Sequence, residues 1–142
     1  MTKVPAITVE AFEQIWREER GFYDFIGLVT EEIGHGFSRI RLPAKQELLR
    51  PGGTISGPAQ MALADCAAYA ALLGAIGNVP LAVTTSLSMN FLRKPPPGDL
   101  TCSCKLLKLG KRLAVADASV FSEGREEPVS HVTATYAIPS QS

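Results

Sequence analysis

Residues 59–73, AQMALADCAAYAALL, place Met61, Leu63, Tyr69, Leu72 and Leu73 among seven alanines and one cysteine. Ser56 is suited to cap a helix there, and Pro58 to occupy its first turn, where a missing N–H costs little. The helix predicted over residues 56–74 is apolar on every side, and such a helix is buried inside a larger structure. Gln60 and Asp65 are its only strongly polar side chains. Gly74, Gly77, Asn78 and Pro80 follow the apolar run, which reads as too short and too interrupted to span a bilayer. The rest of the chain must therefore wrap this helix.

The flanking segments are suited to that. Residues 1–20 read as an N-terminal helix, with Thr8 as cap and Val9, Phe12, Ile15, Trp16 and Glu19 at helical spacing. Gly21 ends it. Two strands are expected near 25–33 and 37–42, joined by the hairpin signal Gly34-His35-Gly36. The stretch 43–54 has two prolines and two glycines and reads as irregular. After the central helix, residues 83–138 read as a four-strand meander. In 83–92, strict alternation puts Val83, Thr85, Leu87, Met89 and Phe91 on one face, and Thr84, Ser86, Ser88 and Asn90 on the other. Residues 100–109 follow the turn Pro95-Pro96-Pro97-Gly98-Asp99. In 112–122, Ala114, Ala116, Ala118 and Val120 share a face small enough for close approach of a helix. In 129–138, Val132, Ala134, Tyr136 and Ile138 lie together. One antiparallel sheet curled around one long helix is the hotdog arrangement, an α+β fold in a single domain of residues 1–142. An α+β sandwich also satisfies the pattern.

Composition excludes several function classes. Lys plus Arg number 14 and Asp plus Glu number 14, so a basic surface for nucleic acid is not expected. Cys66, Cys102 and Cys104 follow no zinc-ligand spacing and read as small core fillers. No metal is expected. Residues 1–8 lack the apolar core of a secretory signal, and a reducing cytoplasm is the expected location, with no membrane partner.

Three segments carry a resemblance to a known family. RPGGTISGPAQMALAD (residues 50–65) resembles the loop-and-helix signature of the phenylacetate-type (PaaI-like) branch of hotdog acyl-CoA thioesterases. VTTSLSMNFLRKPPPG (83–98) is similar to that family's next strand, and LKLGKRL (107–113) to its Gly-basic turn. The resemblance spans roughly residues 21–138. It implies homo-oligomers, with a dimer of dimers expected, and active sites at the interface between two protomers. It further implies that the thioester carbonyl meets the backbone N–H of Gly57 in one protomer, that the catalytic carboxylate is Asp65 of the other, and that Thr84 is the hydroxyl residue on the following strand. No cofactor is implied beyond the coenzyme A of the substrate itself. Two departures stand out: Ser56 occupies a position where relatives often have histidine, and Pro58 one where they have a second glycine. Arg50 stands where asparagine is frequent.

Chemistry gives each candidate a role and an ordinary alternative. An ionised Asp65 in an apolar helix is costly unless it is hydrogen-bonded. It serves as general base, as nucleophile, or as a structural anchor. The amide of Gly57 at a helix N-terminus favours a developing oxyanion. Ser56 contacts substrate or simply caps the helix. Thr84 or Ser86 holds water, or is merely exposed. Arg93, Lys94, Lys111 and Arg112, with Gly110 in the turn, are placed to meet coenzyme A phosphates or to be turn charges. His35 and His131 read as non-catalytic. The leading expectation is hydrolysis of an aryl- or medium-chain acyl-CoA to free acid and coenzyme A. The alternative is a non-catalytic acyl-CoA binder acting as sensor or carrier. A hotdog dehydratase would call for a histidine that the central helix lacks, and a purely structural protein would show no response to coenzyme A.

Overall fold

The structure is a computed structural model that describes residues 3–18 and 20–140. Helix α1 (Val9–Arg17) starts where the Thr8 hydroxyl accepts the Ala11 N–H at 3.0 Å, and it buries Phe12 and Trp16. It is shorter than the 1–20 expected, and Glu19 lies outside the described residues. The strand expected from residue 25 begins later, because Phe22–Ile26 form a second helix, α2. Gly27 closes it in the left-handed region at φ 87°, donating to the carbonyls of Tyr23 and Asp24. That conformation suits glycine.

The hairpin β1 (Val29–Gly34) and β2 (Phe37–Leu42) follows as expected. The irregular stretch contains a 3-10 turn, Gln46–Leu48, and a two-strand ribbon of β3 (Leu49–Arg50) and β4 (Thr54–Ile55). Helix α3 (Gly57–Ile76) runs two residues beyond the predicted end. Gly74 is therefore inside the helix, and close approach explains it: a Cβ there would meet the Gly34 carbonyl oxygen at 2.2 Å. At this length α3 could cross a bilayer by length and composition, contrary to the sequence reading. Fourteen of its residues are buried, so it is the core helix. Ala114, Ala116 and Ala118 lie beneath it, each nearly inaccessible, and Cys66, Cys102 and Cys104 are buried free thiols.

The remaining strands are β5 (Val83–Phe91), β6 (Leu100–Leu109), β7 (Leu113–Ser122) and β8 (Pro128–Ala137). The six-stranded sheet has the order β1-β2-β6-β7-β8-β5 and is antiparallel throughout. The expected meander is thus corrected. Of these four strands only β6, β7 and β8 are consecutive neighbours; β5 pairs with β8 and forms a free edge. Residues 92–99 are not a hairpin but a connector running past β8 and β7. An extended, proline-fixed segment of that length reaches roughly 25 Å, and the crossing needs three strand spacings, roughly 14 Å.

A second correction concerns β5. Cross-strand partners share a face, and Leu87 pairs with Ala134, Met89 with Val132 and Phe91 with Ser130. Thr84, however, pairs with Tyr136. A bulge between Thr84 and Ser86 inserts Thr85 and reverses the alternation. Thr84 therefore lies on the helix-facing side with Leu87 and Met89, not with Ser86, Ser88 and Asn90. Nor does the sheet close fully over α3. Pro58 and Met61 are exposed and Asp65 is partly so, a stripe at helical spacing beside the free edge of β5.

Candidate active site

Two clusters form along this stripe. The first surrounds Asp65. Thr84 donates its hydroxyl to Oδ1 at 2.5 Å. Tyr136 Oη is 2.9 Å from the same oxygen and 3.0 Å from the Asp65 main-chain carbonyl. Tyr23, on α2, donates to Oδ2. Each donor arrives from a different element, brought there by the short helix after Gly21, the bulge in β5 and the inward face of β8. Tyr69 stacks on the Tyr136 ring, with centroids 5.9 Å apart and planes 13° from parallel. Trp16 meets Tyr23 edge-on at 5.9 Å. Burial is the main reason that the phenols of Tyr23 and Tyr136 are pushed well above their ordinary range, with neighbouring acidic groups adding to it. Tyr69 is pushed up to about 12, again chiefly by burial. All three therefore remain neutral hydroxyls near neutral pH. Burial likewise raises the Cys66 thiol, so this cysteine is a poor nucleophile. Beside the carboxylate lies an open cleft of about 190 Å³, lined by Tyr23, Asp65, Tyr69, Val83, Thr84 and Tyr136, with Ala82 at its base.

The second cluster is at the N-terminus of α3. The Ser56 hydroxyl accepts the Ala59 N–H at 3.4 Å, so capping is the role seen for it. Pro58 has no N–H, and the Gly57 amide has no acceptor among the described residues. Gly57 opens into a cavity of about 460 Å³ with Arg50, Gln60, Phe91, Arg93 and Lys94 on its walls. A Cβ on Gly57 would meet only the Phe91 ring, at 3.4 Å. The fold of one chain does not demand glycine there. Gln60 is buried and accepts the Ser130 hydroxyl at 2.9 Å, while the buried Thr54 hydroxyl beside it has no partner. Arg93 is held by Glu127 at 3.2 Å and by the Pro128 carbonyl at 2.6 Å. Lys94 and Arg50 are not ion-paired among the described residues.

The predicted site residues are thus only partly brought together. Asp65 and Thr84 meet. Gly57, Ser56, Arg93 and Lys94 gather about eight residues away along α3, roughly 12 Å at 1.5 Å per residue. The two cavities share no lining residue. Gly110 and Lys111 border a third hollow with Ile76 and Ile138. Together with Arg112 they sit at the end of the sheet where β5 begins, opposite Arg93 and Lys94. His35 is exposed in its turn, and His131 pairs with Asp117 on the outward face of the sheet. Tyr23, Tyr136, Thr54 and Gln60 were not among the sequence candidates. Tyr136 had one signal, a hydroxyl on an otherwise small and apolar strand face; Tyr23 had none, because its helix was read as the approach to a strand.

Comparison with known proteins agrees with this architecture. The sequence profile of the thioesterase superfamily matches residues 52–129. A crystal structure of a proposed thioesterase from Silicibacter sp. TM1040 is 41% identical, with a TM-score of 0.84 over 96% of this chain and 94% of that one. A mutant of the phenylacetic acid degradation protein PaaI from Thermus thermophilus is 26% identical, with a TM-score of 0.73 over 83% of this chain and 98% of that one. A Saccharolobus solfataricus protein described as a proposed esterase is 29% identical over 82% of this chain and 77% of its own length. The chain therefore belongs to the thioesterase superfamily, as a PaaI-like hotdog protein and acyl-thioester hydrolase.

Proposed function

We propose that the substrate is an acyl-coenzyme A carrying an aryl or medium-chain acyl group, hydrolysed at sites shared by two copies of the chain in the reducing cytoplasm. The observation that carries this reading is the hydroxyl-caged, partly exposed Asp65 carboxylate beside an open cleft. A structural anchor would be tied to its own backbone and sealed; this carboxylate is held by side chains and left open on one side.

Each chain offers two half-sites. A two-fold pairing of β5 edges centred on Leu87 would set Val83 opposite the second copy's Phe91. Because Phe91 lines the same cavity as Gly57 and Thr84 is bonded to Asp65, that pairing brings the amide of one copy to the carboxylate of the other. It also carries Lys111 and Arg112 of one copy to the same mouth as Arg93 and Lys94 of the other, four cations for the coenzyme A phosphates. Pairs of this kind stack further as a dimer of dimers. In the reaction Gly57 N–H stabilises the developing oxyanion and Asp65 activates water as general base. Thr84 holds the carboxylate. Coenzyme A enters as part of the substrate and leaves as the free thiol, and no separate cofactor takes part.

The test is thiol release from acetyl-, octanoyl-, benzoyl- and phenylacetyl-CoA. Turnover of at least one ester is expected, with Asp65→Asn reducing it by at least ~100-fold, the scale of a lost acid/base group, while the melting transition is retained. Pro58 favours a second reading, a sensor or carrier, because it removes one amide from the helix terminus. That reading predicts ester binding with background turnover, unchanged by Asp65→Asn.

A further inference from the structure

Resting on the hydrolysis proposed above, the contacts of Asp65 go further and distinguish its two oxygens. A carboxylate has about four acceptor positions. Oδ1 takes two donors, Thr84 at 2.5 Å and Tyr136 at 2.9 Å, the latter sharing its proton with the main-chain carbonyl at 3.0 Å. Oδ2 takes one, from Tyr23. One acceptor position is left over, and it is on Oδ2. No cation pairs with Asp65 among the described residues. The titratable groups around it are Tyr23 from α2, Tyr69 and Cys66 from α3 and Tyr136 from β8, with Glu13 of α1 beyond Cys66. Hydroxyl donors alone therefore hold the charge.

We propose that Tyr23 and Tyr136 are positioning residues that fix the Asp65 carboxylate with Oδ1 saturated, so that Oδ2 is the oxygen that does the chemistry. Water bound at Oδ2 gives it a proton as the water oxygen bonds to the thioester carbonyl carbon. The tetrahedral oxyanion collapses, the C–S bond breaks with its electron pair leaving on sulfur, and the proton on Oδ2 passes to that thiolate. The products are the free acid and the coenzyme A thiol. Both tyrosine rings are themselves fixed, Tyr136 by the stacked Tyr69 and Tyr23 by the edge of Trp16. Tyr69 directs its own hydroxyl elsewhere, to the Pro80 carbonyl at 2.7 Å, and so supports without touching.

The two tyrosines differ in what their loss does. Tyr136→Phe frees the carboxylate to rotate but leaves the donor on Oδ2. Tyr23→Phe strips that donor from the reacting oxygen, and a lost hydrogen bond to the charged form makes protonation easier. The experiment measures kcat, KM and the pH profile of kcat/KM for the assembled full-length protein, using whichever of the four esters above the unaltered protein turns over fastest. Tyr136→Phe should lower kcat by about ten-fold with KM within about two-fold, as expected for an interaction that orients a reacting group. Tyr23→Phe should move the acid limb to higher pH by about one unit, the scale of a hydrogen bond to a charged group. Thr84→Ser should retain the rate that Thr84→Val loses. If Tyr136→Phe does not fold, the limb shift of Tyr23→Phe on the part-exposed α2 decides the matter. Unchanged profiles and rates in the tyrosine variants, or losses that merely track the folded fraction, would overturn this inference and leave hydrolysis intact. No turnover by the unaltered protein on any ester would overturn the hydrolysis reading and this inference with it.

Discussion

A mixture of two inactive variants should recover about one quarter of full activity. Along α3, Gly57 and Asp65 of one chain are roughly 12 Å apart, opening into cavities with no residue in common. On the proposed pairing, a lone chain holds two halves of different sites. Asp65→Asn removes the proposed base. Gly57→Val puts branches in the path of the carbonyl, yet its Cβ meets only Phe91 Cζ at 3.4 Å and Cε1 at 3.5 Å, ordinary contact distances. Both variants should fold, and each alone should fall below about 1% of full activity, a barrier increase of at least about 2.7 kcal/mol. In the proposed two-fold pair each site would take Gly57 from one copy and Asp65 from the other. A mixed pair then contains one intact site and one doubly altered site. Random assembly at equal amounts makes about half the pairs mixed, so about a quarter of all sites are whole. The assay is thiol release after co-expression, with native mass spectrometry counting the mixed pairs. Mixed pairs that show only the summed activities of the two parents would refute a shared site.

Gly74→Ala should cost more than about 3 kcal/mol and lower the melting temperature by about 10 °C, because a Cβ would lie 2.2 Å from the Gly34 carbonyl oxygen and 2.8 Å from Ile33 Cγ2; a melt within about 2 °C of the unaltered protein would contradict the packing described. Alkaline titration gives a separate check. Tyr23, Tyr69 and Tyr136 all have folded-state values raised above the ordinary 10.0, Tyr69 to about 12. Groups raised in this way contribute stability in full below about pH 10 and lose it as pH climbs through the folded-state values. Melting temperature should hold up to about pH 10 and fall beyond it, with the ultraviolet absorbance of tyrosinate appearing together with unfolding; ionisation of all three tyrosines near their ordinary value in an intact fold would be the contrary result.

Most of the fold was legible because its strongest signal is compositional. A helix with alanine or larger apolar groups on every side needs a wrapper, and the facing strand supplies Ala114, Ala116 and Ala118 to let it come close. Periodicity also located β2, β6, β7 and β8. It failed where backbone geometry departs from a fixed period. The bulge at Thr85 reversed the faces of β5, and no side-chain pattern announces one inserted residue. The second helix, Phe22–Ile26, is shorter than two turns and has no room to display a period; Gly27 was its only marker. The order of strands escaped for another reason. Three consecutive prolines are compatible with a turn and with an extended connector alike, and pairing with β8 is a long-range choice. For the site, Asp65 was legible as a charge in an apolar helix, whereas the two tyrosines of its hydroxyl cage lie 42 positions before it and 71 after it, separations at which spacing carries no information.

The same irregularities explain why the Asp65 carboxylate sits where it does. A sheet that covered α3 completely would have buried Asp65 with no route for a substrate; one that left it wholly in water would have given its charge no fixed orientation. The free edge of β5 and the stripe Pro58–Met61–Asp65 are consequences of the sheet stopping one strand short. An exposed edge with Val83, Phe91 and Leu92 uncovered is a surface that pairs with another strand, and such edges are normally blocked or occupied. A second copy occupying this edge would cover the apolar stripe and exclude water from the carboxylate, without adding a residue to the chain. The bulge at Thr85 then does two things at once: it turns Thr84 inward onto Asp65 and it fixes the register in which a second β5 can lie alongside. Oligomerisation and catalysis on this reading are coupled by a single inserted residue. Deletion of Thr85 should therefore abolish thiol release and shift the assembled protein toward single chains in sedimentation; loss of one without the other would separate the two roles.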